Sequence, residues 1–317
     1  MKACIIEAFG GREQLRIADV PKPDPAAGEV LIRIHAAGID PVDWKIREGY
    51  LKDLFPHRFP LIPGWEAAGE VEAVGAQAER FKPGDAVYTY ARLPVVQHGT
   101  YAEYIALPEA QVALKPANMS MVEAASIPLT GLTAYQSLFK AGRLEKGESV
   151  FIIGASGGVG SCAVQFARIQ GARVAALASG KNRDYLRELG AEHVIDYERG
   201  DFINSLGEWM PNGVDLVFDC HGGETLERAK MCVRAGGRVV SITEPDGGGG
   251  LEARDVRFAY VFVEPSSDQL DQIRGLIETG AFRSTVTATF DLEQVDRAHQ
   301  MLERGHTRGK IVLQING

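Results

Sequence analysis

The sequence has little cysteine and no long apolar run, and both absences narrow the classes of protein it can be. Its four cysteines, at positions 4, 162, 220 and 232, include no C-x-x-C pair, which indicates reduced thiols in a reducing compartment and not a disulfide framework. No apolar run reaches the roughly 18 residues that span a membrane, and Met1–Glu7 lacks the apolar core of a signal peptide. We therefore expect a cytoplasmic protein with no membrane partner.

Positive charge is scarce as well. The chain has 34 Lys and Arg residues against 42 Asp and Glu residues, a net charge of −8. Neither nucleic acid nor an anionic membrane attracts a net-negative protein, so the composition argues against both as partners. The residue in excess is glycine, with 36 of 317 residues, and glycine is used where backbone turns tightly or approaches another group closely.

The length of 317 residues favours two domains. Short β-rich runs punctuated by Gly and Pro, up to about Lys115, are typical of an irregular β-barrel or sandwich. From about Val122 the pattern alternates between strands and helices, which predicts a parallel, doubly wound sheet. We predict an α/β protein in which residues 1–121 and 265–317 form one β-rich domain and residues 122–264 form an inserted nucleotide-binding domain. Its six strands are predicted at Ser149–Ala155, Arg173–Ala178, His193–Tyr197, Val214–Cys220, Gly237–Thr243 and Phe258–Val263.

A glycine-rich turn, Gly154–Gly160, ends the first of these strands and opens a predicted helix. Its spacing, G-x-x-G-x-x-G, lets the chain reverse, lets backbone approach a pyrophosphate and lets the helix pack tightly on the strand. The helix N-terminus offers N–H groups and the positive end of its dipole to phosphates. The alternative is a turn that binds nothing, but the surrounding strands favour a dinucleotide site. The residues predicted to cradle the phosphates are Ser156, Gly157, Gly158 and Val159.

The end of the second strand indicates which dinucleotide is bound. An NAD site usually has an acidic residue there, about 20 residues after the glycines, to hold the ribose 2′-hydroxyl. Residues 178–183 contain no acid, whereas Ser179, Lys181 and Arg183 would attract a 2′-phosphate. Tyr197, at the end of the third strand, is a further candidate donor. The sequence therefore favours NADPH, with ordinary solvated cations as the alternative reading of Lys181 and Arg183.

With these features in hand, the chain resembles the medium-chain dehydrogenase/reductase superfamily over essentially its whole length. The resemblance implies a GroES-like catalytic domain followed by a Rossmann domain, in agreement with the change of pattern near residue 122. The segments that carry it, in order, are Gly28–Arg33, Ala37–Lys45, Pro63–Val71, Lys82–Val87, Gly154–Gly160 and Arg308–Leu313.

The departures from the family pattern concern zinc. Zinc-dependent members take a Cys ligand where this chain has Asp40, and a His ligand from a Gly-His-Glu motif that here is Gly64-Trp65-Glu66; an indole cannot ligate Zn²⁺. The four-Cys structural lobe is absent, since Cys4 is the only cysteine in the first 160 residues, and the seven histidines show no ligand spacing. We therefore expect a protein without a metal site.

Among zinc-independent members the chain is most similar to the quinone oxidoreductase and 2-alkenal/enone reductase branch. The similar segments are Asp40–Lys45, Gly99–Tyr104 and Pro128–Ala134, although members usually carry Asn where Asp40 stands. Without a Lewis acid an unactivated ketone is a poor acceptor, whereas a quinone or an enone delocalises the charge that hydride transfer creates. The resemblance thus implies hydride transfer from NADPH to a quinone or an α,β-unsaturated carbonyl.

We predict that the acceptor lies against the Asp40–Tyr50 segment. Tyr50, Lys45 or a water would donate to the developing oxyanion, and Asp43 would position the loop or the cofactor ribose, unless it is only a turn cap. Further cofactor contacts implied by the family, or by the rule that ligands lie beyond the carboxyl ends of parallel strands, are Thr133, Cys220, His221, Ile242, Phe262, Val263 and Lys310.

Two alternatives stay open at this point, together with the oligomeric state. A trans-2-enoyl-thioester reductase would have the same fold, but would need a basic patch for its carrier. A non-catalytic NADPH-binding sensor would keep the cofactor site alone. The oligomeric state is expected, from the resemblance only, to be a homodimer that joins sheet edges through Phe258–Val263.

Overall fold

The computed structural model describes residues 1–315 and divides into two compact units. One unit comprises Met1–Leu132 and the chain from Glu264 onward, and the other comprises Thr133–Val263. Among the described residues, no helix is both long enough and apolar enough to cross a bilayer.

The first unit is built on a seven-stranded sheet and a separate hairpin. The sheet order is β14-β15-β3-β4-β5-β7, with β6 also paired to β3, and the hairpin is β1-β2. Numbered along the whole chain, these strands are β1 (Lys2–Ile5), β2 (Arg16–Asp19), β3 (Glu29–Ile39), β4 (Glu66–Val74), β5 (Ala86–Tyr90), β6 (Tyr104–Pro108), β7 (Val112–Leu114), β14 (Val286–Asp291) and β15 (Lys310–Gln314).

The tail of the chain completes this sheet, because β15 pairs antiparallel with β3, Ile311 opposite Ile39. Apolar side chains of the two strands, such as Ile32 and Leu313, share one core. Helices surround the sheet: α1 (Pro41–Arg47), α2 (Met121–Ala124), α8 (Ser267–Glu278) and α9 (Val295–Glu303), while α3 (Pro128–Tyr135) crosses the boundary between the units.

The second unit is a six-stranded sheet in which every pairing is parallel. Its order is β10-β9-β8-β11-β12-β13. Successive strands from β8 to β10 are thus added on one side of β8, and those from β11 to β13 on its other side. The elements are β8 (Ser149–Ile153), α4 (Gly158–Gln170), β9 (Arg173–Ala178), α5 (Arg183–Leu189), β10 (His193–Asp196), α6 (Phe202–Trp209), β11 (Val214–Asp219), α7 (Gly223–Ala229), β12 (Val233–Ser241) and β13 (Arg257–Tyr260). The predicted α/β class, with a β-rich domain and a doubly wound parallel sheet, is confirmed.

Candidate active site

The glycine turn has the backbone that a bound pyrophosphate requires. Gly154 lies in the left-handed region at φ 71°, which suits glycine. A Cβ on Gly160 would lie 2.3 Å from the Gly154 carbonyl oxygen, so only glycine lets α4 approach the strand this closely. Helix α4 begins after Gly157 with no side chain capping its N-terminus, which leaves its first-turn N–H groups available to an anion. The residues of this turn, Ser156, Gly158 and Val159 included, therefore fit a dinucleotide phosphate.

The loop after β9 presents two cations to solvent. Lys181 and Arg183 are exposed, and the buried Ser179 hydroxyl accepts a hydrogen bond from Asn182 Nδ2 at 3.1 Å. Tyr197 is half exposed after β10. These are the positions predicted to surround a 2′-phosphate.

Sequence reasoning missed one carboxylate near this loop. A Cβ on Gly180 would lie 2.2 Å from Asp196 Oδ2, so Asp196 packs directly against the loop backbone. Asp196 is buried, its Oδ1 accepts the Glu198 N–H at 3.0 Å, and Arg199 Nε lies 3.7 Å from its Oδ2. Its position at the end of the third predicted strand was readable, but not its approach to Gly180.

The remaining predicted cofactor residues of this unit follow its strand ends or lie at its limits. Cys220 is half-buried and lies 3.5 Å from the place where a Gly154 Cβ would stand, so the loops after β8 and β11 meet. Burial, and then the Asp219 charge, raise the pKa of the Cys220 thiol, which therefore stays protonated. The others are His221, exposed, Ile242 and Phe262, half-buried, and Thr133 and Val263, buried.

Lys310 is held by groups of its own unit. Its ammonium donates to the Ile39 carbonyl oxygen at 2.9 Å and contacts the carboxylates of Glu66, at 2.6 Å, and Asp40. Two of its three N–H donors are engaged by the Ile39 carbonyl oxygen and Asp40, and the Glu66 carboxylate forms an ion pair with the same ammonium. The prediction for Lys310 was a phosphate or a backbone contact; the buried ammonium makes a backbone contact, to Ile39, and pairs with carboxylates of its own unit instead of a phosphate.

This ion cluster joins four segments of the first unit. Glu66 Oε2 also accepts the Leu129 N–H at 2.7 Å, at the start of α3. Burial and the nearby Asp40 charge raise the pKa of Glu66, and although burial opposes the charge of Lys310, the two carboxylates raise its pKa. An ammonium thus lies between Asp40 and Glu66. In the zinc-dependent members that the chain resembles, the position of Asp40 is taken by a cysteine that ligates the metal. Within residues 1–315, His, Cys, Asp and Glu side chains form no group of three suited to a metal ion.

Asp43 is a helix cap in this structure. Its Oδ2 accepts the Asp40 N–H at 2.8 Å and the Tyr101 hydroxyl at 2.8 Å, and Asp40 caps the same turn of α1 in return. Burial, and then the Asp40 charge, raise the pKa of Asp43 to about 7. The geometry shows the turn cap that was the alternative reading of Asp43, and a role toward the acceptor or the cofactor ribose stays a prediction.

The two predicted donors both lie near the indole of Trp44. The Lys45 ammonium is 5.9 Å from the Trp44 ring centroid, and the Tyr50 ring meets Trp44 edge-on at 5.7 Å. Tyr50 is 68% exposed, whereas Lys45 is half-buried. Both side chains therefore reach solvent, unlike the buried Asp43, and the two together are called the rim of the Asp40–Tyr50 segment.

Behind Asp43 runs a buried hydrogen-bonded chain that sequence reasoning missed. Arg47 Nη1 donates to His299 Nδ1 at 3.0 Å, and His299 Nε2 lies 3.3 Å from the Tyr101 hydroxyl that donates to Asp43. Burial, and then the Arg47 charge, lower the pKa of His299 to about 3, so the imidazole stays neutral. No local signal reveals this chain, because the residues that each hydrogen bond joins are 58 to 252 positions apart in the sequence.

Comparison with known proteins agrees with this architecture. Residues 26–117 match the family described as an alcohol dehydrogenase GroES-like domain, and residues 189–313 match that described as a zinc-binding dehydrogenase. A 2-methylene-furan-3-one reductase of Solanum lycopersicum is 36% identical over 322 residues, covering 99% of this chain and 79% of the relative. A chloroplastic NADPH-dependent alkenal/one oxidoreductase of Arabidopsis thaliana is 33% identical over 322 residues, which again cover 99% of this chain and 79% of the relative.

A solved structure gives the same result. The quinone oxidoreductase of Escherichia coli complexed with NADPH superposes with a TM-score of 0.89 at 28% identity, covering 99% of this chain and 100% of that one. Together with the glycine turn, the parallel sheet and the positions of Asp40 and Trp65, these similarities place the chain in its family. It belongs to the medium-chain dehydrogenase/reductase superfamily, in the zinc-independent quinone oxidoreductase branch.

Proposed function

We propose that the protein is an NADPH-dependent reductase of quinones or α,β-unsaturated carbonyls. The observation that carries the proposal is the Gly154–Gly160 turn, where a left-handed glycine and a Gly160 without room for a Cβ lead into the uncapped N-terminus of α4. The names of the relatives, an alkenal/one reductase that uses NADPH and a quinone oxidoreductase bound to it, supply the substrate classes.

The chain's own residues would hold the cofactor at two places. The first-turn N–H groups of α4 would donate to the pyrophosphate. Lys181 and Arg183, both exposed, would pair with the 2′-phosphate, and Ser179 and Tyr197 would add hydroxyl donors. When bound, NADPH supplies a hydride.

On the acceptor side, Tyr50 and Lys45 would orient the carbonyl and donate to its oxygen as negative charge develops. Asp43 acts behind them by fixing the first turn of α1. The apolar side chains of Tyr50 and Leu54, each 68% exposed, favour an acceptor that carries a ring or an alkyl chain. A conjugated acceptor suits this site, because the indole of Trp65 stands where a zinc ligand would be needed and cannot serve as one.

The test follows NADPH oxidation with three acceptors: a simple benzoquinone, a 2-alkenal and a crotonyl thioester. We expect turnover of the first two, a preference for NADPH over NADH, and loss of that preference in Lys181→Ala/Arg183→Ala. Tyr50→Phe should lower kcat/KM for the acceptor and leave the Kd of NADPH unchanged.

Two outcomes would refute the proposal. Tight NADPH binding without turnover of any acceptor indicates a sensor, and turnover of the thioester alone indicates an enoyl-thioester reductase. If Tyr50→Phe keeps full kcat/KM, and Lys45→Met does too, the acceptor does not use this rim.

Assembly and compartment belong to the same proposal. Strand β13 ends the row of the parallel sheet, and an open sheet edge can pair with a second copy of itself. We propose a homodimer joined there, which sedimentation would reveal as twice the mass of 34.3 kDa. We also propose a cytoplasmic location, where the four free cysteines would stay reduced.

A further inference from the structure

The carboxylate of Asp219 lies at the centre of the loops that follow β11 and β12. It is fully buried at the carboxyl end of β11. Oδ1 accepts the backbone N–H groups of His221, at 3.0 Å, and Gly222, at 2.8 Å. Oδ2 accepts the hydroxyls of Ser241, at 2.7 Å, and Thr243, at 2.8 Å. Four donors from two loops thus converge on one side chain.

A second carboxylate adds to the same junction. Glu244 Oε1 accepts the Gly223 N–H at 3.1 Å, and the Ser241 hydroxyl accepts the Thr243 N–H at 3.1 Å. Gly222, at φ 84°, has a backbone that suits glycine. The loop of residues 220–223 is therefore tied to that of residues 241–244 by the side chains of Asp219, Thr243 and Glu244, and of these Asp219 and Glu244 were not predicted to touch a ligand.

These loops contain three of the predicted cofactor contacts, Cys220, His221 and Ile242, and Cys220 packs beside Gly154. We infer that Asp219 is a positioning residue for NADPH: it holds the loops after β11 and β12 in the arrangement that the cofactor meets. The inference rests on the proposed function. Hydrogen bonds to an ionised acceptor are stronger than neutral ones, and a loop ordered before binding does not spend binding energy on becoming ordered.

The chain offers a matched control at the other end of the same strand. Asp215 accepts the Ser149 N–H and hydroxyl, each at 2.7 Å, and Arg234 Nε at 2.6 Å. It therefore also ties neighbouring strands together, but at the amino end of β11, which is the end of the strand opposite Asp219. If Asp219 only stabilised the fold, replacing either residue would have the same consequences.

The experiment compares Asp219→Asn with Asp215→Asn in the full-length protein. In Asp219→Asn the amide oxygen can still accept the two backbone N–H groups, but the amide nitrogen only donates, so the two bonds from the hydroxyls are reversed or lost and none of the four keeps its charge assistance. We expect the Kd of NADPH, from quenching of protein fluorescence, to rise about tenfold in Asp219→Asn and less than twofold in Asp215→Asn. Amide hydrogen exchange of the NADPH-free protein should become faster in residues 220–223 and 241–244 in the first variant only.

Thr243→Val, which removes one donor and keeps the carboxylate, gives a milder version if Asp219→Asn does not fold. A rise in Kd of about threefold is then expected. An unchanged Kd in Asp219→Asn, or in Thr243→Val where only that variant folds, would overturn the inference, as would an equal rise in Asp215→Asn. Wild-type protein that binds no NADPH would refute the proposed function itself, which is a different result.

Discussion

At the scale of single residues, the buried chain from Arg47 to Asp43 has one direction. Arg47 donates to His299 Nδ1, so the imidazole proton is on Nε2 and faces the Tyr101 oxygen, and the Tyr101 hydroxyl donates to Asp43. Every donor thus points toward the carboxylate that caps α1. Two of these groups, Asp43 and His299, have pKa values shifted so that their contributions to stability change with pH in opposite directions.

Asp43 should make folding less favourable as pH rises. Its pKa goes from an ordinary 3.8 to about 7 in the folded protein, so between about pH 4 and pH 7 the folded chain keeps a proton that the unfolded chain releases. The free energy of unfolding then falls across this range by up to about 4 kcal/mol. Asp43→Asn keeps an oxygen for Asp40 N–H and the Tyr101 hydroxyl but does not titrate. Chemical denaturation should show its stability, relative to wild type, increasing from pH 4 to 7; a pH-independent difference would contradict the assignment.

His299 should act in the opposite direction. Folding lowers the pKa of His299 from 6.5 to about 3. Between these pH values the unfolded chain therefore binds a proton at His299 and the folded chain does not. Stability is therefore lost on acidification through this window, by a few kcal/mol at most. His299→Gln removes the titrating group, and the hydrogen bonds that it loses lower the stability by the same amount at every pH. Measured by chemical denaturation, the stability of His299→Gln relative to wild type should increase as pH falls from 6 to 3, with the exposed His306→Gln as control.

At the scale of elements, the parallel sheet and the seven-residue helix α5 could be predicted, whereas the short helices α1 and α6 could not. Strands such as β8 and β11 are apolar runs buried on both faces, and such runs are readable in a sequence. Helix α1 has seven residues, too few for a clear apolar period. Its signal was instead the cap, Asp40-Pro41 followed by Asp43, a capping box with proline in the first turn. Helix α6 was missed as well, although Asp201 caps it and Phe202 and Leu206 form its buried face.

The same limit applies to the candidate site. The glycine turn is local, so its spacing predicts its backbone. The ion cluster joins residues 40, 66 and 310, and no pattern in the sequence says that a lysine from the last strand lies between two carboxylates. The sequence left Lys310 as a phosphate or a backbone contact, and only the packing of β15 beside β3 shows that its ammonium meets the Ile39 carbonyl oxygen and two carboxylates.

Two glycines in helices of the second unit provide a test of the turn. A Cβ on Gly160 would collide with the backbone of Gly154 and Ala155, whereas one on Gly207, in α6, would meet open space. Gly160→Ala should therefore destabilise the protein by roughly 1–3 kcal/mol and abolish NADPH binding. Gly207→Ala should stabilise it by about 1 kcal/mol, because alanine loses less backbone entropy in a helix. Thermal unfolding and NADPH titration measure both; an intact Kd in Gly160→Ala would show that the turn does not define the site.

At the scale of the whole molecule, each unit has its own apolar core, one built around β3 and β15 and the other around β8 and β11. The predicted boundary at residue 122 lies before that of the structure, where the second unit begins at Thr133. Helix α2 is the reason. It reads as the start of the strand–helix alternation, but it packs against β3 and β4 of the first unit.

Because the proposed cofactor residues lie in the second unit, NADPH should stabilise that unit in particular. A ligand at 100 times its Kd adds about 2.7 kcal/mol to the stability of the state that binds it. If the two cores open separately, hydrogen exchange should slow in β8, β9 and β11 on adding NADPH and remain unchanged in β3 and β4. Asp43→Asn should show the reverse, altering exchange in the first unit without moving the Kd of NADPH. Equal protection of both units by NADPH would mean that they unfold as one cooperative body; protection confined to β3 and β4 would contradict the assignment of the cofactor to the Gly154–Gly160 turn.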